Sequence, residues 1–152
     1  MPANDRLPQI RIRKARQSDA PRLAELATQL GYPTTPRQMV KRLKLVLPQG
    51  QAACFVATRV DNRGITGWVH VSVTPLLEVE LRAEINGLVV DEQIRSQGTG
   101  RLLLNAAERW AKKLGAQSMS LRSNVLRLRA HGFYERNGYE HYKTQKAFRK
   151  TL

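Results

Sequence analysis

One segment, residues 88–104, constrains the fold of this chain more than any other. It runs from the apolar Leu88-Val89-Val90 through a short loop containing Gly98 and Gly100 into an amphipathic stretch that begins near Thr99. Apolar residues, then glycines, then a helical repeat predict a strand, a tight turn and a helix. The first turn of a helix has free backbone N–H groups and a partial positive charge, so the sequence predicts an anion site here.

The composition of this turn favours phosphate as the anion. Glycine lets the backbone approach phosphate oxygens closely, and Arg95 and Arg101 add positive charge. Neither Lys-Ser nor Lys-Thr follows Gly100, which excludes a P-loop, and the three-glycine spacing of the dinucleotide fingerprint is absent. A glycine pair at a strand-to-helix turn is weak evidence by itself, since many such turns only satisfy geometry.

The whole chain reads as an α/β domain around one twisted sheet. Apolar and alternating runs predict strands at 10–13, 53–60, 67–73, 84–90 and 118–122, with two final strands at 139–142 and 145–148. Helical spacing predicts helices over about 18–30, 35–47, 99–114 and 126–136. Ser18 or Asp19 can cap the first helix, and Thr35 forms a capping box with Gln38. We expect residues 1–8 to be poorly ordered and residues 9–152 to form a single domain.

The net charge of +14 indicates either a polyanionic partner, such as nucleic acid or a phosphate-rich cofactor, or a solvated basic surface that only aids solubility, and charge alone does not distinguish them. The basic residues are spread from Arg11 to Lys150, and aromatic residues make up only 6%, which argues against a nucleic-acid-binding module. Cys54, the single cysteine, lies in an apolar run and reads as a small buried residue rather than a nucleophile. The chain has no signal-peptide core and no apolar stretch near the roughly 20 residues of a membrane helix. We therefore expect a cytoplasmic protein without membrane contact.

The turn resembles the acetyl-CoA-binding motif of the GNAT superfamily of N-acetyltransferases, in which Arg-x-x-Gly-x-Gly follows an apolar strand. Residues 127–139 are similar to that family's later helix, with its Phe-Tyr-Glu-x-x-Gly-Tyr ending. The resemblance implies a single mixed, mostly antiparallel twisted sheet flanked by helices. It also implies direct transfer of an acetyl group from acetyl-CoA (coenzyme A) to a primary amine, without a metal or a covalent enzyme intermediate.

Cofactor contacts follow from the resemblance residue by residue. The main chain of Leu88, Val89 and Val90 would pair with the pantetheine arm like an added strand. Main-chain amides of the turn would hold the pyrophosphate, at Arg95, Ser96, Gln97, Gly98, Thr99, Gly100 and Arg101. Many members carry Asn seven residues before the catalytic Tyr, where this chain has Arg127, and Asn124 lies nearby. Both residues stay candidates for contact with the cofactor arm.

Tyr134 matches the family's frequent general acid, which protonates the departing thiolate. The alternative is a packed aromatic whose hydroxyl has found a partner. A base must also take a proton from the amine, and Glu84 is our candidate because some members place a catalytic Glu at this position. Alternation along a strand would put Glu84, Asn86, Leu88 and Val90 on one face. The alternative for Glu84 is that it only neutralises an arginine-rich surface.

The acceptor is the least specified part of the reaction. Five of the 12 acidic residues flank or lie on the cofactor strand, which favours a small cationic amine: Glu78, Glu80, Glu84, Asp91 and Glu92. Aminated antibiotics, polyamines and protein amines stay open as acceptors. So do an acyl-CoA sensor without turnover, a basic nucleic-acid-binding module and a homodimer. The three histidines have no metal-ligand spacing with Cys54 or a carboxylate.

Overall fold

The computed structural model describes residues 9–61, 64–95 and 98–152. The chain folds as two compact units, one ending at Arg122 and the other beginning at Ser123. The single domain expected over residues 9–152 stays a prediction. The poor order expected for residues 1–8 concerns a segment outside the described residues.

The first unit is built on a mixed sheet that has five strands within the described residues, arranged in sequence order. They are β1 Ile10–Lys14, β2 Ala52–Arg59, β3 Ile65–Thr74, β4 Arg82–Val90 and β5 Ser118–Leu121. The first four are antiparallel to their neighbours, whereas β5 is parallel to β4. A parallel pair needs a crossover connection, which helix α3 supplies. The expected mixed, mostly antiparallel sheet is confirmed.

Three helices of this unit begin and end close to their predicted positions. They are α1 Ala20–Leu30, α2 Pro36–Val46 and α3 Thr99–Lys113. Gly31 ends α1 with a φ of 106°, in the left-handed region that glycine adopts without strain. The capping box of α2 is confirmed, because the Gln38 N–H donates to Thr35 Oγ1 at 3.2 Å and the Thr35 N–H donates to Gln38 Oε1 at 2.9 Å.

The predicted side-chain cap of α1 is wrong. Asp19 occupies the capping position, but no side-chain hydrogen bond caps the helix there. Its carboxylate instead accepts the Arg16 N–H at 2.8 Å and pairs with the Arg13 guanidinium at 2.8 Å. A charged partner on β1 makes the stronger hydrogen bond, so the carboxylate turns towards the sheet and away from the helix.

Helices cover both faces of the sheet. On one face, Leu23 and Leu26 of α1 pack in a cluster with Val56 and Val89 from the strands. On the other face, α3 lies so close to β3 that a Cβ atom at Gly67 would be 3.1 Å from Leu103 Cδ1. The cofactor strand β4 is therefore held in a sheet that is packed from both sides.

The second unit contains helix α4, Leu128–Arg136, followed by Asn137 and by Gly138 with a φ of 88°. The two strands predicted at 139–142 and 145–148 are wrong, because residues 139–152 form no strand. The Tyr139 N–H donates to Tyr134 O and so closes the end of the helix. Nearly all side chains beyond it are exposed, so their alternation has no buried face to occupy.

Candidate active site

Strand β4 has two different edges. Along one edge it pairs with β3 from Arg82 to Val90, but along the other edge β5 pairs with it only from Arg82 to Ile85. A bulge at Asn86 interrupts the β3 pairing just beyond the last β5 partner. Within the described residues, the main chain of 86–90 thus has no strand partner on the β5 side. Apart from Val90 O, which accepts a hydrogen bond from Arg95 Nε, the N–H and C=O groups on that side are available to an extended ligand.

The bulge overturns the alternation expected along β4. Glu84 is opposite Ser72 of β3, whereas Leu88 is opposite Val69. Directly opposite residues share a face of the sheet, and positions 72 and 69 lie on opposite faces because they are three residues apart. The expectation that Glu84 shares a face with Leu88 and Val90 is wrong, whereas Asn86 does lie on the side of Glu84, since its amide contacts Ser72. The extra residue, Asn86, reverses the alternation.

The turn after β4 is held tightly where it begins. The Asp91 N–H donates to Thr66 O at 2.8 Å, and the Ile94 N–H donates to Asp91 O at 3.0 Å across a short 3₁₀ turn. The Arg95 Nε donates to Val90 O at 3.4 Å, so this guanidinium lies back against the end of the strand. Ser96 and Gln97 lie outside the described residues, and the contacts predicted for their amides stay predictions.

Helix α3 begins where predicted and presents free amides at its first turn. Gly98 occupies the N-cap position with a φ of 83°, a conformation that favours glycine. The first bond of the helix runs from the Leu102 N–H to Gly98 O at 3.2 Å. The N–H groups of Thr99, Gly100 and Arg101 precede that bond, and among the described residues no side chain caps them. They form a partly positive site suited to an anion.

Two of the five acidic residues around β4 have arginine partners. The Arg122 Nε lies 2.9 Å from Glu84 Oε1, with the side chains 83% and 28% exposed respectively. The Arg22 Nη2 lies 2.5 Å from Asp91 Oδ2. The other three, Glu78, Glu80 and Glu92, are exposed. Arginine partners thus neutralise both partly buried carboxylates, and the negative site expected from these five residues stays a prediction.

Other polar groups share the sheet face of Glu84. Ser72 lies directly opposite on β3, and its hydroxyl accepts a hydrogen bond from Asn86 Nδ2 at 2.8 Å. His70 lies two residues along β3 and therefore on the same face. Burial lowers the pKa of His70, so its imidazole is neutral at neutral pH. A carboxylate and a neutral imidazole on one face can both accept a proton.

Tyr134, in the second unit, lies on α4 among aromatic rings. Its ring centroid is 5.2 Å from that of Phe133 and 5.9 Å from that of Tyr139. Burial raises the pKa of Tyr134, and the positive charge of Arg127 offsets only part of that rise. The phenol is therefore protonated at neutral pH, as a general acid must be. The general-acid role of Tyr134 and the alternative of a packed aromatic with a satisfied hydroxyl both stay predictions.

Asn124 and Arg127 form the turn that precedes α4. The Asn124 side-chain oxygen accepts the Leu126 N–H at 2.9 Å, and its main-chain oxygen accepts the Arg127 N–H at 3.0 Å. The same main-chain oxygen is 2.8 Å from His131 Nε2, so this histidine closes the turn. The cofactor contact expected from Asn124 or Arg127 stays a prediction.

Cys54 is a buried residue of β2, as expected. Burial raises the pKa of its thiol to about 12, so it is protonated at neutral pH and is no nucleophile. Among the residues that the structure describes, no three or more His, Cys, Asp or Glu side chains form a group that could hold a metal ion. In the same ranges, 9–61, 64–95 and 98–152, no helix is both long and apolar enough to cross a membrane.

Two positions that shape this region were not singled out from the sequence. Gly67 lets α3 and β4 approach β3, and a glycine inside a strand is a known sign of such an approach. Arg22 contacts Asp91, which is 69 residues further along the chain. No local pattern could have paired these two side chains.

A mixed sheet with an open β4 edge, followed by a short turn and the free amides of a helix, is the arrangement of the acyl-CoA N-acyltransferase class of fold. Residues 13–139 match the family model described as the acetyltransferase (GNAT) family. The chain therefore belongs to the GNAT family and is an acetyl-CoA-dependent N-acetyltransferase.

Known proteins that resemble this chain carry related descriptions. An uncharacterised N-acetyltransferase, YhfO of Bacillus subtilis, is 29% identical over 136 residues, which are 85% of this chain and 89% of that protein. An aminoalkylphosphonate N-acetyltransferase of Salmonella typhimurium is 42% identical over 66 residues, but these span only 42% of this chain and 43% of that protein. The aminoglycoside N-acetyltransferase AAC(6')-Iy, solved with CoA, has a TM-score of 0.85 at 17% identity, covering 99% of this chain and 100% of that one. At that identity the likeness shows the fold alone.

Proposed function

We propose that this enzyme transfers the acetyl group of acetyl-CoA directly to a primary amine of a small cationic molecule. The observation that carries the proposal is the open edge of β4 at 86–90, which leads into the free amides at the start of α3. An extended arm can add to such an edge as another strand would, and a diphosphate suits the helix amides. Bound acetyl-CoA supplies the thioester from which the acetyl group is transferred.

The proposed cofactor contacts follow the chain through this region. The main chain of Leu88, Val89 and Val90 holds the pantetheine arm on the open edge. The main-chain amides of the turn hold the diphosphate, from Arg95 through Ser96 and Gln97 to Gly98, Thr99, Gly100 and Arg101. Asn124 or Arg127 adds a contact to the arm. Support comes from the first-turn amides of α3, which precede the first helical hydrogen bond.

Glu84 is the proposed base, taking the proton of the amine directly or through water. Its carboxylate is partly buried and lies on a polar face of the sheet with Ser72. The Arg122 Nε lies 2.9 Å from Glu84 Oε1, and a carboxylate has a second oxygen through which it can take a proton. Orientation of amine and thioester would supply most of the rate acceleration.

Tyr134 is the proposed acid, giving its phenolic proton to the departing thiolate. Support comes from its position in the Phe-Tyr-Glu stretch and from its raised pKa, caused chiefly by burial. A phenol that stays protonated at neutral pH can donate throughout the physiological range.

Aminoglycosides and aminoalkylphosphonates, the compounds for which two of the similar proteins are named, are both small molecules with amino groups. One contact favours a second candidate acceptor, which is an amine that also carries an acidic group. Arg122 is 83% exposed beside Glu84, and a guanidinium matches the geometry of a phosphonate.

A thiol-release assay with acetyl-CoA against a panel of amines tests the proposal. The panel contains polyamines, aminoglycosides, aminoalkylphosphonates and lysine peptides. Turnover with cationic small molecules supports the first candidate, whereas turnover confined to aminoalkylphosphonates selects the second. Turnover with peptides alone contradicts both.

Calorimetry with coenzyme A separates the remaining alternatives. Tight uptake together with no turnover on any amine indicates an acyl-CoA sensor. No uptake, combined with nucleic-acid binding that falls steeply with salt, indicates a basic nucleic-acid-binding module. Either result would overturn the proposed activity.

A further inference from the structure

The guanidinium of Arg22, on α1, is bound by three groups from different parts of the first unit. Its Nη2 lies 2.5 Å from Asp91 Oδ2, its Nε donates to Ile65 O on β3 at 3.0 Å, and its Nη1 donates to Glu25 Oε2 at 2.8 Å. The Arg22 side chain is 32% exposed and that of Asp91 only 14%. A planar group bound on three edges has little freedom to move. Arg22 therefore links a helix, a strand and the residue that follows β4.

Asp91 is the first residue of the turn that leads to α3, and all of its polar groups have partners. Its N–H donates to Thr66 O at 2.8 Å, and its main-chain oxygen accepts the Ile94 N–H at 3.0 Å. Its carboxylate accepts the Gln93 N–H at 3.1 Å through Oδ1 and the Arg22 guanidinium through Oδ2. These four contacts set the direction in which the chain leaves the sheet.

A second side chain of α1 holds the next residue of the turn. The Glu92 N–H donates to Gln29 Oε1 at 3.1 Å. Arg22 and Gln29 are seven residues apart, about two helical turns, so both project from the same face of α1. Burial acts to raise the pKa of Asp91, but the Gln93 N–H and the Arg22 guanidinium outweigh it and keep that pKa below its usual range. The carboxylate is thus ionised whenever the enzyme is near neutral pH.

We propose that Arg22 is a positioning residue for acetyl-CoA: through Asp91 it holds the turn that presents the α3 amides to the diphosphate. It acts on the protein backbone and does not touch the cofactor. The inference rests on the proposed cofactor site. A weaker hold on the turn costs binding in the ground state and the transition state alike, which raises KM for acetyl-CoA and leaves kcat nearly unchanged.

Simple electrostatics makes a different prediction for the same two residues. If they acted on the anionic cofactor only through their charges, Arg22→Ala would weaken binding and Asp91→Ala would strengthen it. Positioning requires that both substitutions weaken binding. It also requires that the double variant loses no more than the worse single variant, because each substitution breaks the same link.

The experiment measures coenzyme A affinity by calorimetry at constant ionic strength, with acetyl-CoA steady-state kinetics alongside. The proteins are the full-length wild type, Arg22→Ala, Asp91→Ala and the double variant. We expect each single variant to bind about tenfold more weakly, which corresponds to about 1.4 kcal/mol. KM for acetyl-CoA should rise by a similar factor, with kcat within about twofold of wild type.

Arg59→Ala is the matched control. Arg59 is 23% exposed and pairs with Asp61 at 2.7 Å near the end of β2. Its loss removes an arginine ion pair and one positive charge of the same unit, but not the link to the turn. We expect the coenzyme A affinity of Arg59→Ala to stay within about twofold of wild type. A partly exposed pair contributes little to stability, and this pair is not linked to the turn.

Each outcome decides the inference. Asp91→Ala binding coenzyme A as tightly as wild type, or more tightly, refutes positioning, and so do additive losses in the double variant. If the alanine variants do not fold, Arg22→Lys and Asp91→Asn replace them, and wild-type affinity in both refutes the inference too. Wild-type binding is measured first, so failure of the wild type to take up coenzyme A refutes the proposed function itself.

Discussion

The close packing of β3 against its neighbours depends on the missing side chain of Gly67. A Cβ atom at this position would lie 2.6 Å from Val89 O and 3.1 Å from Leu103 Cδ1. Ordinary contacts between carbon atoms are about 3.5 to 4.0 Å long. The added methyl group of Gly67→Ala would therefore lie closer to Val89 O than the 3.0 Å below which Cβ contacts are essentially never found, and in tight contact with Leu103. The nearest neighbour is a backbone oxygen, which cannot rotate away as a side chain can.

The expected loss of stability follows from this overlap. Overpacking of a well-packed core costs about 1 to 3 kcal/mol. The lower chain entropy of alanine in the unfolded state returns about 0.4 to 1 kcal/mol. We expect Gly67→Ala to lower the free energy of unfolding by about 1 to 2 kcal/mol, and the melting temperature by roughly 2 to 8 °C at this chain length.

Urea denaturation followed by circular dichroism measures this loss. Gly50→Ala is the control, because a Cβ atom at Gly50 would meet nothing within 4 Å, and its unfolding midpoint should match or slightly exceed that of the wild type. Gly67 is directly opposite Val90, so the same shift should also weaken coenzyme A binding at the β4 edge. Equal midpoints for the two variants would show that the approach of β4 to β3 is not limited by this glycine.

Three further substitutions test the site and the fold. Tyr134→Phe should lower turnover at least about tenfold and leave coenzyme A affinity little changed. Tyr142→Phe, which changes an exposed tyrosine, should keep wild-type turnover. Normal turnover in Tyr134→Phe would remove the assignment of Tyr134 as the acid. Glu84→Gln should lower kcat by about 100-fold or more, whereas Glu80→Gln, at an exposed position, should keep wild-type turnover. Turnover near that of the wild type in Glu84→Gln excludes Glu84 as the base. Burial acts to raise the pKa of Asp19, but a guanidinium and a main-chain N–H outweigh it and hold that pKa below its usual range. The ionised Asp19 carboxylate therefore stabilises the fold above about pH 4, and this stabilisation is lost as pH falls through the lower folded pKa. Asp19→Asn should have a clearly lower free energy of unfolding than the wild type at pH 7, measured by urea denaturation, and the difference should shrink towards pH 2. An equal difference at both pH values would contradict this linkage.

Local signals predicted most helix boundaries well, because the interactions that define them lie within a few residues. The capping box joins Thr35 to Gln38, three residues apart, and Gly31 and Gly98 adopt left-handed conformations that their own lack of a side chain permits. Asp19 failed as a cap for the opposite reason. Its partner on β1, Arg13, is brought near by the packing of the sheet edge, and no propensity scale includes that contact.

Strands were predicted less well where they depend on a partner. A run of alternating residues becomes a strand only when another strand supplies its hydrogen bonds. Residues 139–152 have the alternation but form no strand. Residues 84–90 do form a strand, yet the bulge at Asn86 set their faces. A bulge belongs to a pair of strands, and an isolated glycine such as Gly87 in one of them indicates it only weakly.

The sequence by itself determined the order of the elements as far as α4, the strand–turn–helix that carries the anion site, and the family. These follow from hydrophobic period and glycine placement over short stretches, which act before any long-range contact forms. Tertiary structure alone decided which edge of β4 stays open, which face Glu84 occupies, and that Arg22 holds a turn 69 residues away. Register and ion pairing between distant segments depend on how the chain closes on itself, and that closure has no local signature.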